Sequence, residues 1–195
     1  MPRPSVALRS LALIAVGLLA APAFAHPGAH HAAGLSSGFL HPLSGWDHLL
    51  AMLAAGVWAA QQRRMAWSLL ALFPAAMAFG ALLAFGGFSL PLVEPGIAAS
   101  VLVLGLTVAF AVRMPALAGG ALVALFAMCH GFAHGAELPA QTSAAGYAAG
   151  FLAATLALHL AGAAGSRLLQ GLHAAIVRAA GAGVAFAGAW MLAAI

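Results

Sequence analysis

The chain contains no lysine and very few charges: its 195 residues include seven arginines and only three acids, Asp47, Glu94 and Glu137. Charged residues make up 5% of this chain, whereas they make up about a quarter of an ordinary soluble domain. This scarcity excludes a typical soluble domain. Because the arginines are scattered and form no basic stripe, the net charge of +4 does not indicate a nucleic-acid surface.

Cysteine is nearly absent as well. The single residue, Cys129, excludes an intrachain disulfide and a zinc site built from several cysteines. It lies in an apolar run, which favours a buried, inert thiol over a metal ligand. The sequence also lacks a Walker-type phosphate loop, which argues against ATP hydrolysis within this chain.

Apolar residues, by contrast, make up 65% of the chain and fall into long runs. Residues 1–25 have the form of a cleavable signal peptide, with Arg3 and Arg9 before an apolar stretch and small residues at Ala23 and Ala25. The alternative for this segment is an uncleaved anchor helix. Six later runs have the length of transmembrane helices: roughly 43–60, 66–87, 96–112, 116–135, 144–163 and 174–194.

The sequence therefore predicts an all-α, polytopic membrane bundle of six transmembrane helices, with the mature N terminus outside. Residues 1–25 would be the signal peptide, 26–42 a periplasmic segment containing histidines, and 43–195 the transmembrane domain. This orientation puts the arginines of the mature chain on the inner side, as the positive-inside rule requires: Arg63, Arg64, Arg113, Arg167 and Arg178. Two three-helix halves of opposite orientation would be compatible with an inverted repeat, although the sequence itself shows no repeat.

Polar residues held against hydrocarbon usually carry function, and a first group of them lies in the fourth predicted helix. His130, His134 and Glu137 have the i, i+4, i+7 spacing that places three side chains on one helix face. Two imidazoles and a carboxylate suit zinc, nickel, cobalt or iron. We expect a metal site here; the alternative is a set of interfacial polar residues that cap the helix end.

A second group, His41, Asp47 and His48, lies at the start of the first predicted helix, on the same outer side. Ser44 and Asp47 have the spacing of a capping box, so a purely structural role for Asp47 stays open. That role would not explain the two histidines. Asp47 could also bind the metal directly, or it could hydrogen-bond a histidine that does.

Other histidines are weaker candidates. His26, His30 and His31 lie in a segment rich in Gly and Ala, where they form either an accessory metal-capturing arm or a plain linker. Glu94, in an outer connection, is a further accessory candidate. His159 stands alone in an apolar helix, which favours a packing role.

Two glycine pairs have the spacing that lets membrane helices approach closely, Gly131 with Gly135 and Gly146 with Gly150. They could serve packing within one chain or between chains. The sequence therefore leaves open whether the protein forms a homo-oligomer.

The two histidine groups carry a resemblance. The motif His41-Pro42-Leu43-x-Gly45-x-Asp47-His48-Leu49-Leu50-Ala51-Met52, followed by His130-Gly131-x-Ala133-His134-Gly135-x-Glu137, resembles the HupE/UreJ family of bacterial nickel permeases. The resemblance implies an inner-membrane protein that supplies Ni²⁺ to hydrogenase or urease maturation, and related proteins are thought to carry cobalt. It also places all six candidate ligands on family motifs.

The expected function is thus transport of a divalent cation, Ni²⁺ or alternatively Co²⁺, by a protein that is not an enzyme and has no prosthetic group. Its partners would be the ion, membrane lipid and a downstream hydrogenase or urease maturation system, without nucleic acid. The alternative class is an intramembrane metal hydrolase, in which Asp47 or Glu137 activates a zinc-bound water. Because imidazoles bind metal only when neutral, we expect capture to weaken as the pH falls through about 6.5 and to be lost at about pH 5.

Overall fold

The computed structural model describes residues 34–62, 66–138, 142–170 and 173–195. The predicted signal peptide, the arm histidines His26, His30 and His31, and Arg63 and Arg64 lie outside the described residues. Within the described ranges the chain is helical and has no strand. The helices are α1 (Gly34–Ser44), α2 (Trp46–Gln61), α3 (Ala66–Phe85), α4 (Val93–Ala109), α5 (Ala116–Ala136), α6 (Ala144–Gln170) and α7 (Ala174–Ala193).

Four of these helices, α3, α5, α6 and α7, are long and apolar enough to cross a membrane. Helix α4 is apolar but has 17 residues, and α2 has 16. The all-α membrane bundle that the sequence predicts is therefore confirmed in its class. A set of six complete spans stays a prediction.

Helix α1 was not expected, because the sequence places residues 26–42 in a periplasmic segment. It contains Pro42 and ends at Ser44. Gly45, in an extended conformation (φ −97°, ψ 122°), then separates α1 from α2 and is the N-cap of α2. Ser44 does not take the capping role that its spacing left open, because Gly45 is the N-cap of α2 and no side chain caps this helix; the Ser44 hydroxyl donates to the carbonyl oxygen of His41 at 2.7 Å. The chain therefore changes direction between His41 and His48.

The core of the bundle lies along α2. The side chains of Met52 and Trp58 are fully buried there, and Phe73 of α3 and Leu104 of α4 are fully buried against them. Helix α2 packs against α1, α3, α4, α6 and α7, so it is the central helix. His48 on α2 is consequently enclosed by protein.

Helices α3 and α5 cross through a reciprocal pair of glycines. A Cβ atom on Gly80 would clash with the carbonyl of Met128, and one on Gly131 would clash with the carbonyl of Met77. Each glycine follows the contacted residue of its own helix by three positions. The backbones therefore touch directly, as small residues permit in membrane helices.

Helices α2 and α6 cross in the same way. Gly56 packs on the carbonyl of His159, and Gly162 packs on the carbonyl of Leu53, again with a spacing of three residues in each helix. The crossing of α2 with α6 thus repeats that of α5 with α3. Reciprocal glycine contacts also join α1 to α6 and α4 to α7, so this close crossing is a general feature of the bundle.

Side chains tie several helices together at one end of the bundle. The Trp58 indole and the Gln62 amide both donate to the carbonyl oxygen of Val112, at 2.8 and 2.9 Å, and Arg178 donates to that of Ala109 at 2.8 Å. We call this the arginine end, because it contains Arg113, Arg167 and Arg178. Helix α2 ends there, so Asp47 and His48 lie at the opposite end.

Candidate metal centre

The first turn of α2 holds His48 in one tautomer. The Asp47 carboxylate accepts hydrogen bonds from the His48 backbone N–H at 2.8 Å and from its Nδ1 at 2.6 Å. Because a carboxylate can only accept, Nδ1 carries the proton and Nε2 keeps its lone pair. That Nε2 is buried and has no hydrogen-bond partner within the described part of the chain. His48 therefore presents one bare nitrogen.

Ser100 of α4 fixes the tautomer of His130 in α5. The Ser100 hydroxyl donates to the carbonyl oxygen of Ile97 at 2.6 Å and lies 2.8 Å from His130 Nε2. With its hydrogen used, the hydroxyl accepts from Nε2–H, which leaves the lone pair on His130 Nδ1. This atom too is buried without a partner among the described residues. Ser100 is a site residue that the sequence analysis missed.

Four imidazoles lie together, and we call them the histidine cluster (His41, His48, His130 and His134). The ring centre of His134 is 4.2 Å from that of His48 and 4.6 Å from that of His41, while His48 and His130 are 4.7 Å apart. Both ring nitrogens of His134 are buried without a partner in the described ranges. The N-terminal end of α2, after the break at Gly45, lies beside the C-terminal end of α5. The two histidine groups predicted from the sequence therefore meet at one end of the bundle.

Glu137 extends the histidine cluster toward the surface. Ligand atoms of His41, His134 and exposed Glu137 all lie within 4.8 Å of one another. The i, i+4, i+7 spacing predicts His130 in this triad, but the structure gives its place to His41 and directs His130 toward Ser100. Glu94 is exposed in the first turn of α4 and is not a member of the triad.

Burial and a neighbouring histidine disfavour the protonated form of His41. The pKa of His41, which lies in α1 outside the spanning helices, is lowered from its usual value by burial and then by nearby His48, while Asp47 partly opposes the shift. Neutral imidazole is the form that binds a metal ion. The surroundings of His41 therefore favour its ligand form near neutral pH.

Aromatic residues of α6 form one wall of the site. The ring of Phe151 lies 4.2 Å from that of His134, and the ring of Tyr147 lies 5.8 Å from that of His41. A cavity of about 190 Å³, lined largely by apolar side chains, lies between α3, α5 and α6 and reaches His134. The sequence analysis did not identify this wall, although the two aromatics stand one helical turn apart.

Taken atom by atom, the site offers a divalent transition metal several uncommitted imidazole nitrogens and an exposed carboxylate. An unpartnered polar atom in a buried site costs about 1–3 kcal/mol. A cation that accepts these lone pairs would remove that cost. The donor set fits nickel, cobalt or zinc and does not by itself choose among them.

Comparisons with known proteins identify one family. The family model described as HupE / UreJ protein matches residues 12–191. Protein HupE of Rhizobium leguminosarum bv. viciae is 45% identical over 179 residues, which cover 89% of this chain and 93% of that protein. No solved structure matches significantly. The resemblance drawn from the two histidine motifs is confirmed: the chain belongs to the HupE/UreJ family.

Proposed function

We propose that this multi-pass membrane protein carries a divalent transition metal ion across the bacterial inner membrane into the cell. Ni²⁺ destined for hydrogenase or urease maturation is the proposed cargo, and Co²⁺ is the alternative. One observation supports this most directly: the histidine cluster holds bare, buried nitrogens at the end of the bundle opposite the arginines. By the positive-inside rule, that end faces outward.

Transport requires that the ion can leave one ligand for the next, and the histidine cluster places several possible ligands one after another. His41, His134 and Glu137 lie toward the surface, while His48 and His130 continue the line of ring contacts inward. An ion could replace one ligand at a time along this line without ever losing all of them. A divalent cation gains about 4.6 kcal/mol by crossing 100 mV inward, so the membrane potential can drive net uptake.

In the hydrolase alternative, Asp47 or Glu137 would activate a water. The Asp47 Oδ1 atom instead accepts two hydrogen bonds from His48, an arrangement that orients an imidazole. Asp47 therefore acts as an orienting residue that holds His48 for metal binding. Glu137 has the exposed position expected of an entry ligand.

Uptake of ⁶³Ni²⁺ by nickel-starved cells tests the proposal. We expect the wild type to accumulate nickel, and His134→Ala to lose at least about 90% of that uptake, since removing one ligand commonly lowers affinity by large factors. His173→Ala is the matched control, because His173 is exposed at the start of α7, at the arginine end. All three proteins must be present in the membrane in equal amounts.

Failure of the wild type to raise intracellular nickel would contradict nickel transport. The same assay with ⁵⁷Co²⁺ would then decide whether cobalt is the cargo. A wild type that moved neither ion but hydrolysed membrane substrates in a zinc-dependent way would favour the hydrolase class.

A further inference from the structure

His159 is a buried histidine that the histidine cluster does not include. It lies in α6 with 1% of its surface exposed. Its Nδ1 lies 2.6 Å from the carbonyl oxygen of Thr155, one turn earlier in the same helix. A carbonyl can only accept, so Nδ1 carries the proton and Nε2 has the lone pair.

That Nε2 atom has no partner among the described residues, and neither does the equally buried hydroxyl oxygen of Thr155. The sequence analysis favours a packing role for His159, but a packing histidine would have its second nitrogen satisfied as well. Two unpartnered polar atoms one turn apart, on one helix face, are costly in a core. The His159 nitrogen and the Thr155 oxygen could therefore serve as two ligands of a bound cation.

The position of His159 relates it to the histidine cluster. Phe73 of α3 lies between His130 and His159, with its ring centre 6.1 Å from that of His130 and 4.7 Å from that of His159. Along α6, His159 lies eight residues beyond Phe151, the residue that packs on His134, which corresponds to about 12 Å toward the arginine end. His159 is thus the next imidazole inward from His130.

We propose that His159 and Thr155 form a second, inner binding station for the transported divalent metal ion, separated from the histidine cluster by the Phe73 ring. The ion passes from His130 Nδ1 to His159 Nε2 when Phe73 turns aside, and no covalent bond within the protein changes. Its chemistry, a neutral imidazole oriented by a backbone carbonyl, is the same as that of a metal-ligating histidine. This inference rests on the proposed transport function and extends it to the inner half of the bundle.

The backbone around His159 supports a fixed station. Gly56 of α2 packs directly on the His159 carbonyl, so the backbone of α6 is in close contact with the core at this residue. The imidazole is thus held on a close-packed backbone, and passage of the ion requires the buried Phe73 ring to change rotamer. The barrier is therefore the aromatic side chain and not the helix.

His159→Gln in the full-length protein tests the station. Glutamine keeps an amide donor for the Thr155 carbonyl but replaces the imidazole lone pair by a weak metal ligand. We expect ⁶³Ni²⁺ uptake to fall at least about tenfold, while the first equivalent of Co²⁺, followed by its visible absorption in the purified protein, binds the histidine cluster with unchanged affinity. His173→Gln is the matched control, since it makes the same substitution at an exposed site.

Uptake by His159→Gln within twofold of the wild type would overturn the inner station. If His159→Gln lost Co²⁺ binding at the histidine cluster too, its fold would be in question, and Thr155→Val would decide. A threefold or larger loss of uptake in that isosteric variant supports the station, and unchanged uptake overturns it.

The proposed function can fail separately. If the wild type bound Co²⁺ but transported no metal, the proposed transport function would be wrong. The number of Co²⁺ ions bound per protein would then test the inner station by itself. One bound Co²⁺ fewer in His159→Gln than in the wild type would support an inner site, and equal stoichiometry would exclude it.

Discussion

Single residues set the chemistry of this bundle by deciding where imidazole protons lie. Asp47, Ser100 and the Thr155 carbonyl each hold one nitrogen of a neighbouring histidine, and each leaves the other nitrogen bare. One nitrogen is therefore held by a hydrogen bond in each of His48 on α2, His130 on α5 and His159 on α6. The three partners are a carboxylate, a hydroxyl and a backbone carbonyl, so different substitutions test the three histidines separately.

Replacement of Ser100 by alanine tests this hydrogen bond at His130. Without the hydroxyl, the His130 tautomer is no longer fixed and its ring can rotate, so we expect nickel affinity in uptake assays to fall by about 10-fold to 100-fold. The measurement is the nickel concentration for half-maximal ⁶³Ni²⁺ uptake. Ser100→Thr, which keeps the hydroxyl, should retain most of the activity, and equal affinities for Ser100→Ala and the wild type would contradict the role of Ser100.

Two substitutions of Asp47 separate the effect of its charge from that of its shape. Asp47→Asn removes the negative charge and can present an N–H to His48 Nδ1, which would leave the proton on Nε2 and block the bare nitrogen. We expect uptake to fall at least tenfold with normal membrane abundance. Asp47→Glu should restore part of it, and full uptake by Asp47→Asn would show that the His48 tautomer is unimportant.

The pH dependence of uptake follows from the environment of His41. Burial lowers the pKa of His41, so the imidazole stays neutral, and able to bind metal, at pH values where an exposed histidine is half protonated. Uptake should therefore be constant between about pH 7.5 and 6.5 and should fall only below that range. A midpoint at or above the ordinary histidine value would contradict the burial argument. The sequence alone led to the higher midpoint because it does not show how much of His41 is buried.

Sequence and structure diverge most at single residues. The motif residues could be found from spacing and composition, since polar groups are rare in this chain. Ser100 could not, because its function depends on α4 lying beside α5. The capping role left open for Ser44 is not realised, because Ser44 ends the preceding helix and Gly45 is the N-cap of α2.

Among the helices, the apolar runs predict most of the positions, and the crossings explain how closely they pack. Both GxxxG pairs are used within the chain: Gly131 and Gly135 pack on α3, and Gly146 and Gly150 pack on α1. The sequence could not distinguish packing within the chain from packing between chains. Helix α1 was missed because it is too short to be recognised as a span and lies almost entirely in the predicted periplasmic segment, residues 26–42.

Gly131→Ala tests the crossing of α3 and α5. The added methyl group would overlap the Met77 carbonyl, and forcing the helices apart should destabilise the protein by about 1–3 kcal/mol. Gly183→Ala in α7 is the control, since nothing lies within 4 Å of its added Cβ. Thermal unfolding in detergent should show a lower Tm for the first variant and an unchanged or higher Tm for the second; equal Tm values would contradict the close crossing.

The molecule as a whole has two chemically different ends, and its orientation can be measured. Cys129 is buried, so background labelling should be slow. We expect Ala136→Cys, exposed beside the histidine cluster, to react with a membrane-impermeant maleimide on intact spheroplasts. Ala116→Cys, exposed next to the arginine end, should react only after permeabilisation. The reverse pattern would refute the N-out topology.

The central position of α2 has a consequence for how the protein is made. With 16 residues, α2 is about 24 Å long, less than the roughly 30 Å of the hydrocarbon core, and it begins with the pair Asp47 and His48. Such a segment is a poor candidate for independent insertion from the ribosome. Its crossing partner α6 is synthesised only after three intervening helices, so stable insertion of α2 should wait for a helix that does not yet exist. Biogenesis of this chain would therefore be completed out of sequence order, because α2 would reach its final position only after α6 is made.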